Sequence, residues 1–135
     1  MRPAQPLKVW TATILGQPYS MKNRRQIIVD KTTGKRRSIK SKEALAYAET
    51  FNLQMQFYRL PPDDLILGPV RVTIRIWYKS ESPDLDEALI LDLLQGTVYK
   101  NDNKVVEKHV FKECPPDKTN PRAEITVEEL PPRER

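Results

Sequence analysis

The sequence has little cysteine, histidine and glycine, and these shortages exclude several classes of protein. A single cysteine, Cys114, leaves no partner for an intramolecular disulfide. One cysteine and one histidine, His109, are too few ligands for a zinc site of the usual Cys/His kind. The four glycines form no phosphate-binding loop, so an NTPase or an enzyme with a nucleotide cofactor is disfavoured.

Long hydrophobic runs are also missing. No apolar stretch approaches the roughly 20 residues that a membrane-spanning helix needs, and residues 1–6 lack the apolar stretch of a secretory signal. Together with the single cysteine, these features predict a cytoplasmic protein without a membrane partner. A chain of 135 residues that is 39% hydrophobic suits one domain over residues 1–135, with loose ends at about 1–6 and 130–135.

The net charge of +5 hides two blocks of opposite sign. Nine basic side chains stand against one acidic side chain between Ser20 and Lys42, a net charge of +8. Five acidic side chains and no basic one lie between Glu81 and Asp92. The basic block favours a polyanionic partner, and the acidic block suits a cation. Two unrelated solvated surfaces are the alternative interpretation.

The hydrophobic pattern predicts strands and helices in an order that does not alternate regularly. Strands are expected over residues 7–15, 26–29, 36–40, 70–78, 105–111 and 122–127. A turn at 32–34 joins the second and third strands into a basic hairpin. Helical spacing predicts one helix from about 41 to 58 and another over 86–94, which ends at Gly96. This order favours the α+β class.

Two carboxylates, Asp84 and Asp86, are the most informative feature of the acidic block. Residues two apart in an extended chain point to the same side, and paired carboxylates repel unless a cation lies between them. Magnesium prefers such oxygen ligands. Asp102, in a turn-rich run before a strand, is a candidate third ligand. Bound magnesium would suit phosphodiester hydrolysis, whereas Asp84 as a simple helix cap is the plainer alternative.

The order of these segments resembles the RusA family of Holliday junction resolvases. The resemblance covers about residues 8–127, and its specific part is the block from Pro83 to Glu107. Within that block the similar runs are Pro83-Asp84-Leu85-Asp86, Leu91-Asp92-Leu93-Leu94-Gln95-Gly96 and Val98-Tyr99-Lys100-Asn101-Asp102. The basic region that follows Gly16-Gln17-Pro18 is also similar in position.

The resemblance implies a small mixed β-sheet that carries two helices and the basic hairpin. It also implies a homodimer that binds branched DNA, the four-way junction, and cuts it with Mg²⁺ by paired nicks during DNA recombination and repair. The resemblance assigns both metal binding and catalysis to Asp84, Asp86 and Asp102. The side chains expected to contact the DNA backbone are Lys22, Arg24, Arg25, Arg36, Arg37 and Lys40.

The chain departs from the family pattern at four points, one of which is the interval from Asp86 to the end of the helix, shorter by about two residues than is common. Glu87 stands where the family usually has asparagine, and Asn101 stands where an acid is usual. The family's assisting lysine has no counterpart between Asp86 and Tyr99, so Lys100 or Lys104 is the candidate replacement. These departures keep two other hypotheses open, a catalytically impaired DNA-binding module and an adaptor that contacts a protein through its proline-rich tail.

Overall fold

The computed structural model describes residues 7–19, 26–29, 36–39 and 42–131. In chain order the elements are β1 (Val9–Leu15), β2 (Gln26–Val29), β3 (Arg36–Ile39), α1 (Lys42–Met55), β4 (Val70–Trp77), α2 (Ala88–Leu94), β5 (Val105–Lys112) and β6 (Arg122–Glu129). Two short 3₁₀ turns, Pro62–Asp64 and Asp102–Lys104, lie between them. The predicted α+β class is confirmed, and so is the order of its elements.

Four strands form one mixed sheet in the order β1-β6-β4-β5. The β1–β6 and β4–β6 pairs are antiparallel, whereas β4 and β5 are parallel. A parallel pair needs a crossover connection, and α2 lies in the connection between β4 and β5. The residues that follow β4 therefore pass directly into the segment that carries Asp84 and Asp86.

One face of this sheet is buried against the helices. Side chains on β4 alternate, so that Val70, Val72, Ile74 and Ile76 are fully buried while the intervening residues are not. The period of two in the sequence predicted this division. Helix α1 contributes a buried stripe at helical spacing, which consists of Ala44, Tyr47, Phe51 and Met55. The core consequently lies between the sheet and the two helices.

The opposite face of the sheet carries stacked cations and aromatic rings. The Arg122 guanidinium lies 4.0 Å from the centre of the Trp77 ring, and that of Arg75 lies 4.5 Å from the centre of the Phe111 ring. His109 is exposed and makes a 3.0 Å contact with Glu107. The Trp77 and Phe111 rings on this face therefore pack against arginines of the same chain.

The second helix ends at Leu94, as predicted, two residues before Gly96, and begins two residues later than predicted. Gly96 has a φ of +84°, a left-handed conformation that favours glycine at a helix end. At the other end the helix starts at Ala88 rather than at Asp86. The cause is local, because the Ala88 N–H donates a 3.0 Å hydrogen bond to Asp86 Oδ1. Asp86 thus lies outside the helix and supplies an acceptor to its first turn.

The predicted basic hairpin is present as the antiparallel pair β2–β3. Its register places Ile28 opposite Arg37 and Val29 opposite Arg36. The turn predicted at 32–34 lies outside the described residues, as do residues 1–6 and 132–135. Within the described part of the chain, no helix is both long and apolar enough to cross a membrane.

Candidate acidic site at the start of the second helix

Asp86 is the buried member of the predicted acid pair. Its side chain is only 3% exposed, and it is the only buried charged residue among those described. Its Oδ1 accepts the hydrogen bond from the Ala88 N–H, and its own N–H donates to Tyr78 Oη over 3.3 Å. The first N–H groups of a helix have no partner within the helix. Asp86 satisfies one of them, and its carboxylate is thereby held in one orientation.

Asp84 is the exposed member of the pair and is attached to the same tyrosine. Tyr78 Oη donates a 3.2 Å hydrogen bond to the Asp84 carbonyl oxygen, and the Tyr78 ring is buried directly after β4. Burial raises the pKa of Tyr78, and repulsion from the carboxylates of Asp86, Glu87 and Asp84 adds to the increase. The phenol therefore stays protonated at neutral pH and holds the backbone of both acids close to the end of β4.

We call Asp84, Asp86 and Glu87 together the acidic corner. Two lysines of β5 lie beside it. Lys108 Nζ lies 2.7 Å from Glu87 Oε1. Lys112 Nζ donates 2.7 Å hydrogen bonds to the carbonyl oxygens of residues 81 and 83, in the loop that leads to Asp84. β5 pairs with β4 in parallel. The sheet thus places two ammonium groups next to the acids.

The lysines that the structure places beside the acidic corner are Lys108 and Lys112 of β5. The assignment of the assisting role to Lys100 or Lys104 stays a prediction. The sequence carried a signal for the lysines of β5, because Lys108 and Lys112 share the strand face of the half-buried Val110. The parallel pairing of β5 with β4 is what places these two lysines near the acidic corner.

Asp102 lies near the other end of α2. It is exposed, and its N–H donates a 3.2 Å hydrogen bond to Oε1 of Gln95, the residue directly after the helix. The buried Tyr99 hydroxyl donates to the Leu91 carbonyl oxygen over 3.0 Å. Burial is the main cause that raises the pKa of Tyr99, and the Asp102 carboxylate, followed by Asp92, adds to it. The Asp102 carboxylate is therefore beside the Tyr99 hydroxyl.

The structure holds the backbone of Asp84 and Asp86 in one segment before α2, and it places the Asp102 carboxylate beside the Tyr99 hydroxyl, which donates to the Leu91 carbonyl oxygen of α2. Within the described ranges, no group of three or more His, Cys, Asp or Glu side chains is close enough to hold a metal ion. The carboxylate oxygens themselves are the donors that magnesium prefers. The donor chemistry fits, whereas the three acids are not gathered in this conformation.

The predicted DNA contacts fall mostly outside the described residues. Lys22, Arg24, Arg25 and Lys40 are not described, and of Arg36 and Arg37 only the backbone on β3 is described. The strand pairing of β2 and β3 nevertheless confirms that these two arginines lie on one arm of a hairpin. The assignment of all six side chains to DNA stays a prediction.

Comparison with known proteins identifies a matching protein family. The family model Endodeoxyribonuclease RusA matches residues 16–128, which include both ends of α2, the acidic corner and Asp102. A search of curated proteins found none that matches this chain.

Proposed function

The chain belongs to the endodeoxyribonuclease RusA family, and from this premise we propose that it is a magnesium-dependent, structure-selective endonuclease that resolves Holliday junctions. The observation that carries the proposal is the acidic corner, where the buried Asp86 carboxylate is held by the Ala88 N–H and the backbone of the exposed Asp84 is held by Tyr78. A buried carboxylate is costly to desolvate, and such groups are typical of metal and catalytic sites.

We propose Asp84, Asp86 and Asp102 as the residues that hold Mg²⁺. When bound, the ion would lower the pKa of a water molecule and neutralise charge on the scissile phosphate. The chain's own contribution is to prepare this arrangement. The Ala88 N–H fixes the orientation of Asp86, and Tyr78 holds the backbone of Asp84. The three carboxylates must converge on one point to hold the ion together.

The lysines of β5 have a separate role in this proposal. Lys112 restrains the loop before Asp84 through two backbone carbonyls. Lys108 lies against Glu87 and is 44% exposed, so its ammonium can also be reached by a DNA phosphate. Positive charge near a reacting phosphate stabilises the charge that develops in the transition state. We assign Lys108 the assisting role for which the sequence suggested Lys100 or Lys104.

Binding to the junction is assigned to the basic segment. Each lysine or arginine that contacts a phosphate releases condensed counterions, so affinity should fall steeply as salt rises. Phosphate contacts position a protein without reading bases, which suits recognition of a DNA shape. The proposed contacts are Lys22, Arg24, Arg25, Arg36, Arg37 and Lys40.

Paired nicking follows if the protein acts as a homodimer in the cytoplasm. A two-fold symmetric dimer presents two identical acidic sites, and a four-way junction offers two strands of like polarity. Each protomer would then cut one strand. The symmetry of the cuts would come from the symmetry of the protein.

The alternative is a RusA-like module that binds junctions but cuts them poorly. Two observations favour it: α2 carries no lysine, and within the described residues no group of three acids is close enough to hold a metal ion. Such a module would still bind DNA with an affinity that falls as salt rises. It would lack metal-dependent nicks.

One assay separates the two functions. Purified protein is incubated with an end-labelled four-way junction, with Mg²⁺ or with EDTA, and the products are resolved on a denaturing gel. We expect paired nicks with Mg²⁺ alone, lost in Asp86→Asn and kept in the control Asp63→Asn, which changes an exposed acid of the first 3₁₀ turn. Binding without nicks in the wild-type protein would favour the impaired module instead.

A further inference from the structure

Strand β1 lies at one edge of the four-stranded sheet, and among the described strands it pairs with β6 alone. The Glu129 N–H donates a 2.8 Å hydrogen bond to the Lys8 carbonyl oxygen, in register with this pair. In an antiparallel pair every second residue bonds to the neighbouring strand, so the even-numbered residues of β1 bond to β6. The residues whose N–H and C=O groups point outward are therefore Val9, Thr11, Thr13 and Leu15.

One of these four outward residues is already satisfied. The side-chain oxygen of Gln54, on α1, accepts a 2.7 Å hydrogen bond from the Leu15 N–H, and its amide nitrogen donates over 2.9 Å to the Leu15 carbonyl oxygen. Gln54 thus takes the place of a neighbouring strand at Leu15. Among the described residues, no other hydrogen bond reaches the outward groups of β1. The open part of the edge consists of Val9, Thr11 and Thr13.

The β1 edge lacks the features by which sheet edges usually avoid pairing. Natural proteins place charged side chains or proline on such edges. The other edge strand, β5, follows this rule with Glu107, Lys108 and Lys112, whereas the β1 sequence VWTATIL contains no charged residue and no proline. The outer face of β1 also carries exposed apolar side chains, since Val9 is 63% and Leu15 is 51% exposed. The β1 edge is therefore suited to pairing with another strand.

The open part of the edge is symmetric about Thr11, which favours a second copy of this chain as the partner. Val9 and Thr13 lie two residues on either side of Thr11. In an antiparallel pair with Thr11 opposite itself, Val9 lies opposite Thr13 of the second copy, and each open residue donates one hydrogen bond and accepts one. The hydrogen bonds at Leu15 are kept. The exposed Leu7 and Leu15 are each four residues from Thr11, so this register brings Leu7 of one copy toward Leu15 of the other.

We propose that two copies of this chain associate through their β1 edges, in an antiparallel pair centred on Thr11 that joins the two sheets into one. The same surface is used by both copies, as a two-fold dimer requires. The inference rests on the proposed function in one respect, because paired nicks need two acidic corners. Leu15 and Trp77 share Arg122 as a strand partner. The two acidic corners therefore lie at opposite ends of the joined sheet.

The test is the oligomeric state of the full chain, measured by sedimentation equilibrium over a range of protein concentrations. We expect the wild-type protein to form a dimer. Thr11→Pro removes an outward N–H and no hydrogen bond to β6, a change that edge strands tolerate. It should raise the dissociation constant of the dimer at least about a hundredfold, the scale of two lost hydrogen bonds, with an unchanged circular dichroism spectrum. A Thr11→Pro dimer as tight as the wild-type dimer would overturn the proposal.

A charge swap tests the register and does not depend on how well the proline variant folds. Thr11→Lys or Thr11→Glu places like charges opposite each other at the two-fold axis and should weaken the dimer several-fold. An equal mixture of the two variants pairs opposite charges and should form dimers as tight as those of the wild-type protein. The matched control is Val106→Lys at an exposed position of β5, which should leave the dimer unchanged. If the mixture does not recover dimers, the register centred on Thr11 is wrong and the proposal fails.

Failure of this inference and failure of the proposed function give different results. A wild-type dimer that none of the Thr11 variants weakens overturns the β1 contact and leaves Mg²⁺-dependent nicking intact. A monomeric wild-type protein also overturns the contact and leaves the edge to a strand of another protein. A dimer that responds to the Thr11 variants as expected but makes no nicks with Mg²⁺ supports the contact and overturns the nuclease.

Discussion

Replacement of Asp86 by two different residues separates the structural role of its side chain from its proposed role at the metal. Asp86→Ala removes the acceptor of the 3.0 Å hydrogen bond from the Ala88 N–H and leaves that donor unsatisfied at the start of α2. Loss of a comparable cap costs about 1–2 kcal/mol. For a chain of 135 residues this corresponds to a fall in Tm of roughly 4–8 °C. Asp86→Asn keeps an oxygen in the same place, and asparagine caps about as well as aspartate, so its cost should stay below about 0.5 kcal/mol.

The two variants should differ in stability but lose nicking activity alike. Both remove the carboxylate that we assign to Mg²⁺, and a bound metal supplies several kcal/mol of transition-state stabilisation, so both should lose at least about a hundredfold in nicking rate. Urea denaturation measures the first effect, and single-turnover cleavage of a labelled junction measures the second. Equal destabilisation by the two variants would refute the argument from the Ala88 hydrogen bond. Full nicking activity in Asp86→Asn would refute the assignment of Asp86 to the metal.

Three further predictions concern other parts of the chain. Gly96→Ala should lower the free energy of unfolding by about 1 kcal/mol, because the φ of +84° at this position disfavours a side chain; an unchanged urea midpoint would contradict this. Burial acts to raise the pKa of Asp117, but hydrogen bonds, including one from Arg122, outweigh it and lower that pKa below the ordinary value of 3.8. The ionised Asp117 side chain therefore stabilises the folded state above pH 3.8, and this stabilisation is lost as the pH falls through the lower pKa of the folded state. Between about pH 4 and pH 2, the Tm of Asp117→Asn should therefore fall less steeply than that of the wild-type protein. Lys112→Ala loses two 2.7 Å hydrogen bonds to backbone carbonyls and should need several-fold more Mg²⁺ for half-maximal nicking, whereas the exposed Lys118 can be replaced by alanine without such a shift.

The elements of the fold were predictable because their signals are local. The alternation of side chains on β4 and the helical spacing on α1 are properties of consecutive residues, and each predicts its buried face directly. The start of α2 was placed two residues too early. Helical spacing cannot tell a residue within the first turn from one that only accepts its hydrogen bond, and Asp86 is of the second kind.

In the candidate site, too, the local features were predictable from the sequence and the long-range contacts were not. Asp84 and Asp86 are two residues apart in the chain, so the sequence by itself determined that their carboxylates start from the same short segment before α2. The tertiary structure decided that the Tyr99 hydroxyl beside Asp102 contacts Leu91 of α2, and that the lysines next to the acidic corner are those of β5. These relations join residues that are distant in the chain. They depend on which strands pair and how the helices pack on them, and local periodicity carries no information about either.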